Sequence, residues 1–236
     1  DLLRLFVDHL EHAYCNRLLA RTTLQSAEPV SLARDIQQRM TQRWGQAWDC
    51  HFFTGSMVAG LLDSLGELLR PTACGFHSAC NEHALAVSAL AGWQLYQRAY
   101  VIVMTSGMLD EMRGTLANLK RAGAPGLVVC ADSPESVWFA FQGTLDADND
   151  GHQVIAARGL WQRFVRRPDE AAACVEQAFA ALDQRPAPTF LFATQAVLES
   201  RAQLEGPPPP MPATATQQAL TAPELAALEQ LLEVIN

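Results

Sequence analysis

The sequence predicts an α/β domain, a parallel sheet with helices on both faces, and three observations carry that expectation. Short apolar runs alternate with stretches of about 11 to 15 residues at helical spacing, the pattern of repeated β-α units. The runs are continuous rather than alternating in polarity, as strands buried on both faces require. Several of them end in loops bearing Gly or Ser, where open α/β sheets bind ligands beyond the carboxyl ends of the strands.

Along the chain, Leu2, Leu5, Phe6, Leu10, Ala13, Tyr14 and Leu18 recur at three- and four-residue spacing and predict an amphipathic helix over Leu2–Arg21. A turn around Pro29 leads into a second helix, Leu32–Trp48. The alternation then begins with strand Cys50–Phe53, helix Met57–Leu69, strand Ala73–His77, helix Glu82–Tyr96 and strand Tyr100–Thr105. It continues with helix Leu109–Ala122, strand Gly126–Ala131, a long loop, strand Gln162–Val165, helix Asp169–Leu182 and strand Thr189–Ala193. Gly206 and Pro207 to Pro210 mark a stiff linker. Thr221 as N-cap with Glu224 three residues on then starts a helix over Ala222–Val234. The expected organisation is a helical extension over 1–30, an α/β domain over 31–200, a linker over 201–221, and the start of a following domain over 222–236. A first residue that is Asp and a chain that stops within a helix suggest a piece of a longer polypeptide.

Composition narrows the function. Net charge is −8 and no basic cluster exceeds Arg166-Arg167, so nucleic acid and anionic membrane surfaces are poor partners. No apolar run reaches the roughly 20 residues of a membrane span. The six cysteines include no Cys-x-x-Cys pair, and there is no signal peptide, which points to reduced thiols in the cytoplasm. Cys50, Cys74 and Cys130 lie in strand-like runs, where thiols behave as small hydrophobes.

Glu82 is the most informative residue. It opens an Ala-rich helix whose other early residues are small or apolar, so it faces packed protein and is either paired or held for chemistry. The other motifs are weaker. Asp146-Ala147-Asp148-Asn149-Asp150-Gly151 resembles half a calcium loop, but Ala157 stands where the bidentate Glu belongs and a strand-like segment follows, so a solvated acidic loop is the better reading. Thr54-Gly55-Ser56 could bind phosphate at a helix N-terminus, but it lacks the Gly-Lys-Ser ending of a P-loop, and Ser56 as a plain N-cap is the simpler reading. Ser56 and Ser106 are not flanked as in a Gly-x-Ser-x-Gly elbow. His77 and His83 flank Glu82 without a third ligand, so no metal site is expected. Trp138, Phe139 and Phe141 read as packing over the sheet edge.

In order and spacing, the motifs resemble the pyrimidine-binding (PYR) domain of thiamine diphosphate-dependent 2-oxo acid decarboxylases and carboligases, the acetohydroxyacid synthase-like group. Phe53-Thr54-Gly55-Ser56 followed by Leu62-Asp63-Ser64-Leu65 matches that family's first turn and helix, and Glu82 stands at its glutamate. Thr105-Ser106-Gly107, Ala124-Pro125-Gly126, Phe141-Gln142 and Arg185-Pro186-Ala187-Pro188 follow in the family's order. The resemblance spans about residues 32–198 and leaves the N-terminal helix without a counterpart.

The resemblance implies the thiamine diphosphate-binding fold. It implies that Glu82 hydrogen-bonds the cofactor's aminopyrimidine and favours the imino tautomer that deprotonates the thiazolium, and that Gln142 faces the substrate. Gly55, Ser56, Thr105, Ser106 and Gly107 then line the pyrimidine pocket. A 2-oxo acid substrate, a homodimer or tetramer, and a diphosphate- and magnesium-binding domain on the same polypeptide or on a partner subunit are also implied. No Gly-Asp-Gly occurs in this chain to supply that last part. The sequence departs from the family at Thr54 in place of Pro, at Gly107-Met108-Leu109 in place of Gly-Pro-Gly, and at Met112, Gly143 and Ala91. These departures keep open a non-catalytic regulatory or scaffold subunit. An unrelated α/β binding protein with Glu82 as a satisfied core acid is the third reading.

Overall fold

A computed structural model describes residues 28–133 and 150–201. The predicted N-terminal helix, Trp138, Phe139, Phe141, Gln142, Asp146 to Asn149, the Pro-rich linker and the final helix lie outside the described residues.

The sheet has six strands, β1 (Trp48–Phe52), β2 (Gly75–Ser78), β3 (Ala99–Thr105), β4 (Gly126–Ala131), β5 (Trp161–Val165) and β6 (Pro188–Ala193), in the order β2-β1-β3-β4-β6-β5. Every pair is parallel. The connecting helices are α1 (Ser31–Trp44), α2 (Ala59–Leu69), α3 (Glu82–Tyr96), α4 (Arg113–Arg121), α5 (Asp150–Ala157), α6 (Ala171–Gln184) and α7 (Gln195–Leu198). The predicted fold class holds.

Two-residue alternation splits the central strands β3, β4 and β6 between two cores. Val101, Val103, Leu127, Val129 and Leu191 point to the face covered by α1, α2 and α6. Tyr100, Ile102, Met104, Val128, Phe190 and Phe192 point to the face covered by α3, α4 and α5. Cys50 and Cys130 are wholly buried, and burial pushes both thiols up, which leaves them unreactive.

Among the boundaries that differ from expectation, four have a clear local cause. Helix α1 stops at Trp44 because Gly45, at φ 59°, turns the chain and donates to the Thr41 carbonyl, which frees Trp48 for β1. The β2 ladder starts at Gly75, since the Ala73 amide is taken by Gln46 and the Cys74 amide by Thr72. A 3-10 segment over Ser106–Met112 precedes α4, and its i, i+3 spacing turns Leu109 and Met112 inward together. Asp150 and Gly151 open a helix, α5, rather than close an acidic loop before a strand. His152 and Ile155 are its buried pair. Gly and polar residues around them had masked so short a pattern.

At the amino ends of β1 and β2 lies a polar cluster that the sequence did not suggest. Arg98 bonds Asp49 at 2.5 and 2.8 Å, and the Gly75 amide bonds it at 2.6 Å. Burial alone would raise the Asp49 carboxyl, yet these donors hold it below its usual value. His51 sits one pleat along, its ring 5.5 Å from that of His77. Burial, reinforced by His77, pushes His51 down to about 4. Between that value and the ordinary 6.5 the unfolded chain binds the proton and the native chain does not, so stability falls as pH drops through this window. We expect a loss of about 3 kcal/mol across it. His51→Gln should remove that share of the acid sensitivity, measured by urea midpoints near neutrality and at about pH 5. Equal pH slopes in the variant and the parent would refute the assignment.

Candidate functional site

Strand order reverses direction between β1 and β3. The chain leaves β1 toward β2 through α2 on one face, and leaves β3 toward β4 through α4 on the other. Such a switch point opens a crevice at the carboxyl ends of the two strands. The loop after β1, Thr54-Gly55-Ser56, and the loop after β3, Thr105-Ser106-Gly107, meet there. A Cβ on Gly55 would lie 3.0 Å from the Thr105 methyl, so the two loops are in contact and a side chain on Gly55 would crowd that methyl. Thr54, Ser56 and Gly107 are exposed beside this contact. Ser56 does not act as a helix cap: Gly55 occupies the N-cap position of the 3-10 turn Ser56–Val58, with no side-chain cap bond.

Glu82 reaches the same end of the sheet from α3. Asn81 caps that helix, its side chain accepting from the Ala84 amide at 2.8 Å, which sets Glu82 in the first helical position. Helix α3 packs on β3, on β1 and on the 3-10 segment Ser106–Met112. Glu82 is 1% exposed, and its Oε1 has no hydrogen-bond partner among the described residues. Burial raises its pKa, and Glu111 on the 3-10 segment raises it further, against the lowering effect of its own backbone amide. A helix N-terminus favours a carboxylate by roughly 0.3–1 kcal/mol, and here desolvation outweighs it. The site therefore holds an acid biased toward its protonated form, with one oxygen still to be satisfied.

The remaining sequence candidates separate. His77 turns to His51, and His83 lies 3.3 Å from the Thr115 hydroxyl on α4, so the two histidines flanking Glu82 do not converge. Ser106 is buried, and its hydroxyl donates to Asp132 at the end of β4. Asp132 also takes the Nε2 of His152 at 2.8 Å. Sequence reading missed Asp132, although an acid directly after a buried strand is the same kind of signal as Thr105-Ser106-Gly107. His152 carried no such signal. A cleft of about 400 Å³ lies at the opposite end of the sheet, lined by Lys120, Arg121, Arg158 and Arg185. These cations stand at the carboxyl ends of α4, α5 and α6, where they offset the helix dipoles.

No family model matches the chain. It is 33% identical over its whole length to the thiamine diphosphate-dependent 3-acetyloctanal synthase PigD of Serratia marcescens, spanning 26% of that protein. It is 32% identical to PigD of a second Serratia strain, again over its whole length and 27% of the relative. The chain thus spans about a quarter of the curated relatives it matches. Its fold resembles that of the thiamine diphosphate-dependent 4-hydroxybenzoylformate decarboxylase of Rhodococcus jostii RHA1, with TM-score 0.58 and 15% identity, over 86% of this chain and 37% of that one. Sequence similarity along the whole chain and a shared fold over most of it fit one assignment, a PYR-type domain of the thiamine diphosphate-dependent enzymes.

Proposed function

We propose that this domain supplies the pyrimidine half of the site of a thiamine diphosphate-dependent carboligase or decarboxylase acting on a 2-oxo acid. The observation that carries the reading is Glu82, a buried acid with a raised pKa and an unpartnered oxygen at the switch point. A flat heteroaromatic ring whose nitrogen needs a proton partner fits such a group, and Gly55, packed against the Thr105 methyl, adds no side chain of its own to the wall. Once bound, thiamine diphosphate supplies an electron sink for loss of carbon dioxide from a 2-oxo acid.

The chain's own part is to orient the ring and hold the proton. Glu82 would hydrogen-bond the ring nitrogen, and burial, by raising its pKa, favours the protonated form that can donate there. The Gly55 and Thr105–Gly107 loops would line the ring, and Gln142, which lies outside the described residues, is the residue that the resemblance assigns to the substrate. Magnesium and the diphosphate are held by a domain outside this chain, in cis or on a partner subunit of a dimer or tetramer. Exposed Val87, Leu95 and Tyr96 on α3, the helix that carries Glu82, support cover by another protein surface. The product name of the PigD relatives places an acetyl group on a carbon of an aldehyde chain, which favours carbon–carbon ligation over release of a free aldehyde.

The Met112 and Thr54 departures support one other reading, a scaffold that kept the fold without the chemistry. Calorimetry of the full-length protein with thiamine diphosphate and magnesium separates the two. We expect saturable binding, with carbon dioxide released from a 2-oxo acid in the loaded protein. No heat of binding and no turnover would leave the scaffold.

A further inference from the structure

The buried chain Ser106–Asp132–His152 is placed to act on the site without touching its contents. Asp132 is 0% exposed and His152 3%, so this is an acid–base pair wholly inside the protein. One carboxylate oxygen accepts from the Ser106 hydroxyl and the other meets the His152 Nε2 at 2.8 Å. The His152 ring is held edge-on between Phe164 and Phe192, at centroid distances of 4.5 and 4.3 Å. Apolar packing on β5 and β6 therefore fixes the imidazole. The imidazole fixes the carboxylate, and the carboxylate fixes the first residue after β3. That residue lies between Thr105, which meets Gly55, and Gly107, which is exposed at the crevice.

Among the described residues Ser106 has no other hydrogen-bond partner, and the Asp132 side chain has no arginine or lysine beside it and beyond Ser106 meets only the His152 ring. A buried carboxylate is costly to keep, and an apolar pair would pack the same space at lower cost. Retaining it here makes sense if it specifies one position for the loop that it grips.

We propose that Asp132 and His152 are positioning residues that act through Ser106 to hold the Thr105–Gly107 loop in the geometry that accepts the cofactor's pyrimidine ring. Ser106 then serves as the loop's anchor rather than as a pocket wall. The inference rests on the proposed function for its consequence, and on the loop alone for its mechanism.

The test uses the full-length protein with magnesium and three variants: Ser106→Ala, Asp132→Asn and Glu82→Gln. Amide hydrogen exchange over residues 105–107 reads the anchoring, and calorimetry with thiamine diphosphate reads its consequence. Ser106→Ala removes one oxygen and should fold. It should speed exchange at the loop and weaken the cofactor about 10-fold, the order of effect that loss of one hydrogen bond carries. Asp132→Asn keeps an acceptor for Ser106 and can donate to the other tautomer of His152, so both readouts should stay within about twofold of the parent. Glu82→Gln should leave loop exchange unchanged, because it does not touch the anchor.

A lowered melting point in Ser106→Ala with loop exchange and affinity both unchanged would mean structural support alone and would overturn the proposal. Faster exchange without weaker binding would also overturn it, since the anchor would then not govern the ring. Should the parent bind no thiamine diphosphate, the proposed function fails, and with it the claimed consequence. Loop exchange in Ser106→Ala still decides the anchoring separately.

Discussion

Glu82→Gln should lower turnover of the full-length protein by about a hundred- to ten-thousand-fold, the range that a positioned acid–base group contributes. It should also leave the protein slightly more stable. The folded-state pKa of Glu82 lies above its ordinary 4.5 because burial, aided by Glu111, disfavours the charged form. Its contribution to stability is therefore complete below the unfolded value and is lost as pH rises through the folded one. At neutral pH the parent carries that loss and the glutamine variant does not. A higher denaturant midpoint for the variant at neutral pH is the expected sign. The gain should shrink as pH falls toward the ordinary carboxyl range. Denaturant midpoints at two pH values, together with deuterium exchange at C2 of the bound cofactor, check both halves. Parent-like turnover would remove Glu82 from the chemistry, and a variant less stable at neutral pH would contradict the burial argument.

Gly126→Ala should cost about 3 kcal/mol of stability, at the upper end for overpacking a core. Gly126 opens β4, a central strand, and pairs with Tyr100 on β3 and Pro188 on β6. A Cβ there would overlap severely with three ring atoms of Tyr100. That ring is fully buried, and its hydroxyl donates to the Ala124 carbonyl at 3.3 Å, so it has nowhere to swing without losing the bond. The strand cannot slide either, because the Thr189 hydroxyl grips the Gly126 carbonyl at 3.2 Å. Tyr100→Leu in the same background should recover part of the loss, a non-additivity that marks direct contact. A cost under about 1 kcal/mol for Gly126→Ala would show that the core yields more than close packing allows.

Much of the sheet could be read from the chain because doubly buried strands need unbroken apolar runs. Tyr100 to Met104, Leu127 to Cys130 and Phe190 to Phe192 are such runs, and each lies in a wholly or almost wholly buried strand. Boundaries drifted where a local side chain took a backbone amide, as Gln46 and Thr72 do before β2. Glu82 was legible because its cause is local. Asn81 caps the helix, and the acid follows in a stretch of small residues. Ser106 was only half legible: its loop was recognised by resemblance, but no local pattern pairs its hydroxyl with Asp132, 26 residues on.

The sequence by itself determined the strand and helix segments and the acid at the head of α3, since periodicity, capping and burial are decided within a few residues of chain. Only the tertiary structure decided the strand order, the meeting of Gly55 with Thr105, and the Ser106–Asp132–His152 chain. Their partners stand 20 to 50 residues apart along the chain, and the residues that join them have no shared spacing. What brings them together is the packing of two cores on one sheet, a property of the whole domain that no short window of sequence contains.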